Sequence, residues 1–423
     1  MKITLHNWLV LLLALILSFT VGNCYTVANE ITLLHEFAGG ANDGSGSRGG
    51  LIIDSGKLYG MTYTGGNSNA GTIFSMNSNG TGFSLIHEFA GGVNDGSSPQ
   101  GSVIMNSGTM YGMTYLGGNS NYGTVFSVKT DGSDFTLLHE FAGGGTDGRT
   151  PYGDVLLASG KLYGMTYRGG DSNYGTVFSM NLDGSGFTLL HEFATGTTNG
   201  IYPYGNLVMD SGVLYGMTNG GTGGGKIFSI DPDGTDFTIL HTFTGGADDG
   251  TSPYGSLIVD SGTLYGMTRF GGENSSRGTV FAMDTDGTDF TLLHEFAGGV
   301  DDGQEPNASL FIDSGTLYGM TYSGGDLNYG TLFSIETDGT DFTLLHEFAG
   351  GNDDGSYPTY NTPLISAGTL YGMTTNGGNS NYGTIFSMGL SSGSVPEIPT
   401  SGFLLLSLLY GIIIAVLYSK SNR

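Results

Sequence analysis

Apolar and polar residues alternate in short runs along most of this chain. In residues 57–63, Tyr59, Met61 and Tyr63 fall on one face and Leu58, Gly60 and Thr62 on the other, the period-2 rhythm of a β-strand. Runs at 51–54, 71–77 and 83–89 have the same character, so this stretch predicts four strands, a to d. Asp54-Ser55-Gly56 separates a from b, and Asn79-Gly80 separates c from d, as Asp131-Gly132 and Asp183-Gly184 do further on. Such pairs tolerate positive φ and favour tight hairpins, so the four strands form a meander. Strands b and c carry apolar or aromatic groups on both faces, as a sheet sandwiched between neighbours requires. Between the terminal segments no run keeps a 3.6-residue apolar rhythm, and no helix is expected there.

The meander is copied. Leu-His-Glu-Phe or a close variant places histidine at 35, 87, 139, 191, 241, 294 and 346, at intervals of 52, 52, 52, 50, 53 and 52 residues. The tyrosine of Leu-Tyr-Gly-Met-Thr keeps step at 59, 111, 163, 215, 265, 318 and 371. A period near 50 with four strands per unit predicts an all-β, seven-bladed β-propeller of four-stranded antiparallel blades. The first strand, residues 31–37, is of type d, and the last, residues 383–388, is of type c. Residues 31–37 are therefore expected to become the outer strand of the last blade, which removes an open edge.

The ends have a different character. Residues 1–28 have a basic start and a short apolar run from Trp8 to Phe19, as in a cleaved secretory signal. Cys24 is the sole cysteine, so no intramolecular disulfide forms. Asn23 before it departs from a lipidation motif, which leaves the alternative of an inert residue in a discarded signal. After the propeller (29–388) come a linker (389–401), a 17-residue apolar stretch (402–418) near the lower limit for a transmembrane helix, and a basic tail (419–423). Trailing cations would keep the main body outside. The linker holds Pro396, Glu397 and Pro399, and with the helix and tail it resembles a PEP-CTERM sorting signal, although Ile398 interrupts the motif. That resemblance implies processing by an exosortase-type enzyme at a bacterial envelope. A plain membrane anchor is the alternative.

The repeated Gly-Thr-Val-Phe-Ser-Met, Asp-Gly-Thr, Phe-Thr-Leu-Leu-His-Glu-Phe and Leu-Tyr-Gly-Met-Thr, over about residues 31 to 388, resemble the GloVer (Gloeo/Verruco) tandem repeat of bacterial surface proteins. The resemblance implies envelope attachment and brings no assigned activity. Gly65-Gly66 and its equivalents are kelch-like, but the kelch tryptophan is missing, since Trp8 lies in the signal.

Composition narrows the partners. With 12 Lys+Arg against 38 Asp+Glu the net charge is -26, which argues against nucleic acid, because phosphate backbones need clustered cations. Glycine is abundant, 78 residues, but periodic.

Candidate chemistry sits in the loops. In this meander the d-to-a and b-to-c connections share one face, where scaffolded loops can carry function. Of nine basic residues between 31 and 388, six fall there: Arg48, Arg149, Arg168, Lys226, Arg269 and Arg277. They break an otherwise copied pattern, which suggests a pocket for an acidic sugar or peptide carboxylate; balancing an acidic face is the other reading. Tyr152, Tyr204 and Tyr254 each follow a proline and would stack on sugars or fill gaps between blades. Asp249, Asp302 and Asp354, each second in an Asp-Asp pair, offer oxygen ligands to calcium but lack the alternating spacing of a calcium loop; turn formation also explains them. No other cofactor is expected. The seven histidines share the apolar face of strand d, which points to packing rather than catalysis. The adjacent glutamates face the other way, a series that Thr242 interrupts. Gly220–Gly225 lies in a hairpin loop and not before a helix, unlike a phosphate cradle.

These features predict a non-enzymatic, envelope-anchored extracellular scaffold that binds a glycan or protein of the envelope or matrix through its long-loop face. The alternative is an extracellular polysaccharide-active enzyme, a hydrolase or lyase, with carboxylates beside Arg168 or Arg269.

Overall fold

The computed structural model describes residues 30–390, apart from 197–198 and 274–275. Within them the strands form seven antiparallel meanders in chain order. Blade 1 comprises Ile52–Asp54 (a), Lys57–Thr62 (b), Thr72–Asn77 (c) and Ser84–Glu88 (d). These bounds lie within a residue of the expected ones. Blades 2 to 6 repeat the order a-b-c-d. Blade 7 takes its outer strand from the other end of the chain: Ile31–Glu36 pairs with Thr384–Gly389, from Ile31 opposite Met388 to Glu36 opposite Thr384. The register shift between Leu33 and His35 matches the one between Ile73 and Phe74 at the c–d seam of blade 1. The closing strand thus reproduces the local geometry of a covalently joined one.

The core lies between blades. One apolar cluster joins Tyr59, Met61, Ile73 and Phe89 of blade 1 to Met110, Phe126 and Val128 of blade 2. Another joins Leu51, Leu58, Phe74 and Met76 of blade 1 to Tyr371, Met373 and Ile385 of blade 7, with Phe37, and so closes the ring. Seven sheets, each apolar on both faces, are the reason the ring holds without disulfides. Gly60 shows why the strand-b motif needs its glycine: it pairs with Phe74 across the sheet, and a Cβ there would sit 2.6 Å from the Phe74 ring. The missing side chain is the space the fully buried phenylalanine fills. Burying such a ring stabilises by about 2–3 kcal/mol before entropy is counted.

A further element was not anticipated. The two long connections of a blade pair with each other, as Gly44–Ser45 does with Thr64–Gly65, and five more blades have the same two-residue ribbon. In blade 4, Ile201–Pro203 instead joins the main sheet through the lengthened strand Val213–Gly220. The ribbons put the d-to-a and b-to-c loops on one face, as expected from the meander. The signal, the sorting motif with Pro396, Glu397 and Pro399, the apolar segment 402–418 and the basic tail lie outside the described residues. Among the described residues no helix is long and apolar enough to cross a membrane.

Candidate functional site

The long-loop face is built on a repeated clamp. His35 Nε2 lies 3.1 Å from Asp43 Oδ1, while Asp43 accepts N–H bonds from Ala38 and Gly44. Six of the seven histidines also stack on a phenylalanine of the next blade, His35 on Phe83 at 3.8 Å and all six pairs at 3.7–4.0 Å. The histidines therefore join blades. Asp249, Asp302 and Asp354 belong to this series, with His241, His294 and His346 at 3.0–3.2 Å. Their oxygens close the d-to-a loop instead of gathering in a calcium shell: Asp249, for example, also accepts from Thr244 and Gly250. Burial pushes the Asp249 carboxyl up, but the bonds from His241 and Thr244 outweigh it and hold it below the usual range. Blade 4 substitutes Asn199, and burial lowers the pKa of its partner His191.

The glutamate beside each histidine pins the other loop. Glu88 Oε2 accepts the backbone N–H of Asn67 at 2.8 Å, and Glu140, Glu192, Glu295, Glu347 and Glu36 do the same at 2.6–2.9 Å. Blade 4 departs again. Lys226 occupies the strand-c position held by Thr72 in blade 1, opposite Thr242 where the others have glutamate. It is 1% exposed, and its Nζ donates to Thr242 Oγ1 at 3.0 Å and to the Thr222 carbonyl at 3.4 Å. Burial lowers its pKa. A position that faces inward in every blade thus removes Lys226 from the set of surface ligand contacts.

Around the axis, side chains replace the copied motif. The N–H of Gly50 donates to Ser102 Oγ, that of Ser102 to Asp154, that of Asp154 to Asn206, that of Asn206 to Ser256 and that of Ser256 to Ser309, all at 2.5–2.8 Å. This collar joins six consecutive blades. Backbones approach closely here: a Cβ on Gly153 would lie 2.5 Å from the Gly205 carbonyl oxygen. Burial pushes the Asp154 carboxyl up to about 6, against the opposing bonds from Ser102 and Asn206.

Beside the collar is a cavity lined by Arg48, Gln100, Tyr152, Tyr204, Tyr254 and Tyr360, among others, with about 40 Å³ of internal space. That holds a few waters, far below the roughly 300–1,000 Å³ of a small-molecule pocket. Any larger ligand would have to lie across the mouth. Tyr204 is the hub there, its ring 4.5 Å from Tyr152, 4.6 Å from Tyr254, 4.9 Å from Tyr167 and 6.5 Å from Tyr360. Burial raises the pKa of Tyr152 and of Tyr204, so both stay neutral.

The predicted cations divide. Arg48 lines the cavity, donates to Gln100 Oε1 and lies 4.0 Å above Tyr63. Arg269 contacts Tyr254 and pairs with Glu305 at 2.7 Å. Arg168 lies over Tyr167 and Tyr202, and Arg149 over Tyr122. Arg277 is remote from the cavity lining, against Gly298, with Nε shielded and unpartnered. The mouth thus unites Tyr152, Tyr204 and Tyr254 with Arg48, places Arg269 and Arg168 beside them, and leaves Arg277 and Lys226 apart. Sequence reasoning missed Tyr360, Tyr167 and Tyr202. In blade 7 an extra residue separates Pro358 from Tyr360, so the Pro-Tyr signal was broken.

A family model described as the Gloeobacter/Verrucomicrobia repeat matches residues 18–224, 72–275 and 219–398. No curated protein matches the chain in sequence. Among solved structures, an oligogalacturonate lyase in complex with manganese is similar in fold, with 12% identity, 86% of this chain and 93% of that chain covered, and a TM-score of 0.56. The nidogen/laminin complex is matched at 17% identity over 57% of this chain and 78% of that one, with a TM-score of 0.38. TolB from Acinetobacter baumannii is matched at 12% identity over 68% and 63%, with a TM-score of 0.39.

Proposed function

We propose, since this chain belongs to the Gloeobacter/Verrucomicrobia repeat family and folds as a closed seven-bladed ring, that it is a non-enzymatic binding scaffold of the bacterial envelope, exported by residues 1–28 and attached through residues 389–423. The observation that carries the binding reading is the tyrosine mouth. Its rings are fixed by mutual contact, so little side-chain entropy is lost on binding, and their faces suit the apolar faces of sugar rings. An axial space of about 40 Å³ favours a chain lying across the mouth over a molecule swallowed whole. The ligand in this reading is an envelope or matrix glycan.

The polysaccharide-active alternative needs two carboxyl groups flanking one bond. Near the mouth, Asp154 is held by Ser102 and Asn206, and Glu305 is held by Arg269. Both groups are engaged by the scaffold, which favours binding over catalysis. A glycan-array screen of the full chain and of Tyr204→Ala tests the proposal: binding by the first and its loss in the second, with the melting temperature of the ring kept, is expected. Equal binding by both would remove the mouth from the site. Envelope attachment is tested by fractionating cells that express the chain with and without residues 389–423.

A further inference from the structure

We infer that the ribbon of blade 3 is a carboxylate clamp, and that the glycan crossing the mouth is one that carries uronic acid groups. This rests on the glycan-binding reading above and names its ligand class. The ribbon pairs Arg149 directly opposite Arg168. Side chains opposite each other in an antiparallel pair share a face, and like charges there repel. Corresponding pairs elsewhere are neutral: Ser45 with Thr64, Ser97 with Leu116, Thr251 with Phe270, Gln304 with Ser323 and Ser356 with Asn376. Two cations therefore share one ribbon of a protein whose net charge is -26, Arg149 set against Tyr122 of the blade 2 loop and Arg168 against Tyr167 and against Tyr202 of the loop entering blade 4.

The protein does not neutralise them. Among the described residues neither guanidinium has a carboxylate oxygen within 4.0 Å, whereas Arg269 does, in Glu305. Two nearby acids are committed elsewhere, Asp147 to His139 and to the amides of Ala142 and Gly148, and Glu192 to the amide of Asp171, while the Asp171 carboxylate lies against Gly145 and not within 4.0 Å of either guanidinium. Arg149 Nε is shielded from solvent and has no hydrogen-bond partner. Aromatic rings position both groups instead: Tyr122 lies 5.1 Å from Arg149, and Tyr167 and Tyr202 lie 5.2 and 5.1 Å from Arg168. Rings fix a guanidinium while leaving its N–H fork free for a planar oxyanion.

Position selects the ligand. Tyr167 lies 5.3 Å from Tyr152 and 4.9 Å from Tyr204, so the aromatic surface runs unbroken from the axis to Arg168. A ligand that uses both ends must present sugar faces and a carboxylate along one chain. A uronic acid polymer does so, while the acidity of the protein disfavours a denser polyanion.

The test uses the full chain with two matched probes, alginate and carboxyl-reduced alginate, in calcium-free buffer, read by titration calorimetry. The wild type is expected to bind alginate roughly tenfold or more tighter than the reduced polymer, as bidentate charged contacts imply. The double variant R149Q/R168Q should bind both polymers alike, at the wild-type affinity for the reduced one, with its melting temperature unchanged or raised. Alginate binding left intact in that variant, or no preference in the wild type, overturns the clamp. Loss of reduced-polymer binding in Tyr204→Ala together with either result would leave the glycan reading standing without it. Binding of neither polymer by the wild type would refute both.

Discussion

The outer body of each blade and the mouth at the axis are built from the same repeat, yet they treat it oppositely. In the body, the histidine, its aspartate, the stacked phenylalanine and the loop-pinning glutamate recur nearly unchanged, because each is locked to a neighbouring blade or to a loop of its own blade and a change in one would misfit its partner. At the mouth one equivalent position carries Arg48, Gln100, Tyr152, Tyr204, Tyr254, Asn307 and Tyr360 in turn. Interlocking packing preserves a copy, and partial exposure frees it to vary. Departures from the repeat are therefore informative in proportion to how little packing demands them. Lys226 and Thr242 depart together in the body and compensate each other; Arg149 and Arg168 depart together at the face and do not.

Breaking the body should have the largest effect. Deleting residues 31–37 removes the outer strand of blade 7, exposes the Thr384–Gly389 edge and takes Phe37 from its cluster. The expected outcome is loss of the cooperative transition by circular dichroism and aggregation through the open edge. A truncated chain that melts like the intact one would show that the ring does not depend on that strand.

A matched pair of substitutions sharpens the contrast next. Phe178→Ala, at a fully buried ring, should cost about 3–5 kcal/mol in denaturant unfolding. Tyr204→Ala, where the ring lies against other tyrosines at the mouth, should cost under about 1.5 kcal/mol. Similar losses would mean that the mouth is part of the structural core, and its variation would need another explanation.

The body was legible in the sequence because packing imposes a period. Alternation gave the strands, Asp-Gly and Asn-Gly gave the turns, and the mismatch between a d-type start and a c-type end gave the closure. The mouth was legible only where chemistry coincided with a local signal, as in Pro151-Tyr152, Pro203-Tyr204 and Pro253-Tyr254. Tyr167 and Tyr202 carry no such signal, since the first merely follows strand b. The collar of Ser102, Asp154, Asn206, Ser256 and Ser309 was hidden for a different reason: its bonds link residues 50–53 positions apart, and small polar residues near glycine read as ordinary loop. Lys226 was misplaced because its position in the repeat, and not its membership of a loop, decides which way it points.

The collar also supplies an effect that is confined to one pH window and has a definite sign. Asp154 is the collar's carboxylate, and burial raises its pKa to about 6 in the folded ring, against about 3.9 when the chain is unfolded. Between those values the folded state holds a proton that the unfolded state has released. Stability is therefore fully present below about pH 4, falls as pH rises towards 6 and is lower by about 1–3 kcal/mol above it. Asp154→Asn removes the titration but also turns an acceptor of the Asn206 amide into a donor, so its absolute stability is a poor test. The difference between the two proteins is the informative quantity. Wild type should lose stability relative to the variant from pH 4 to 7 in urea unfolding; parallel profiles would mean that the carboxylate is better compensated within the collar than its burial implies.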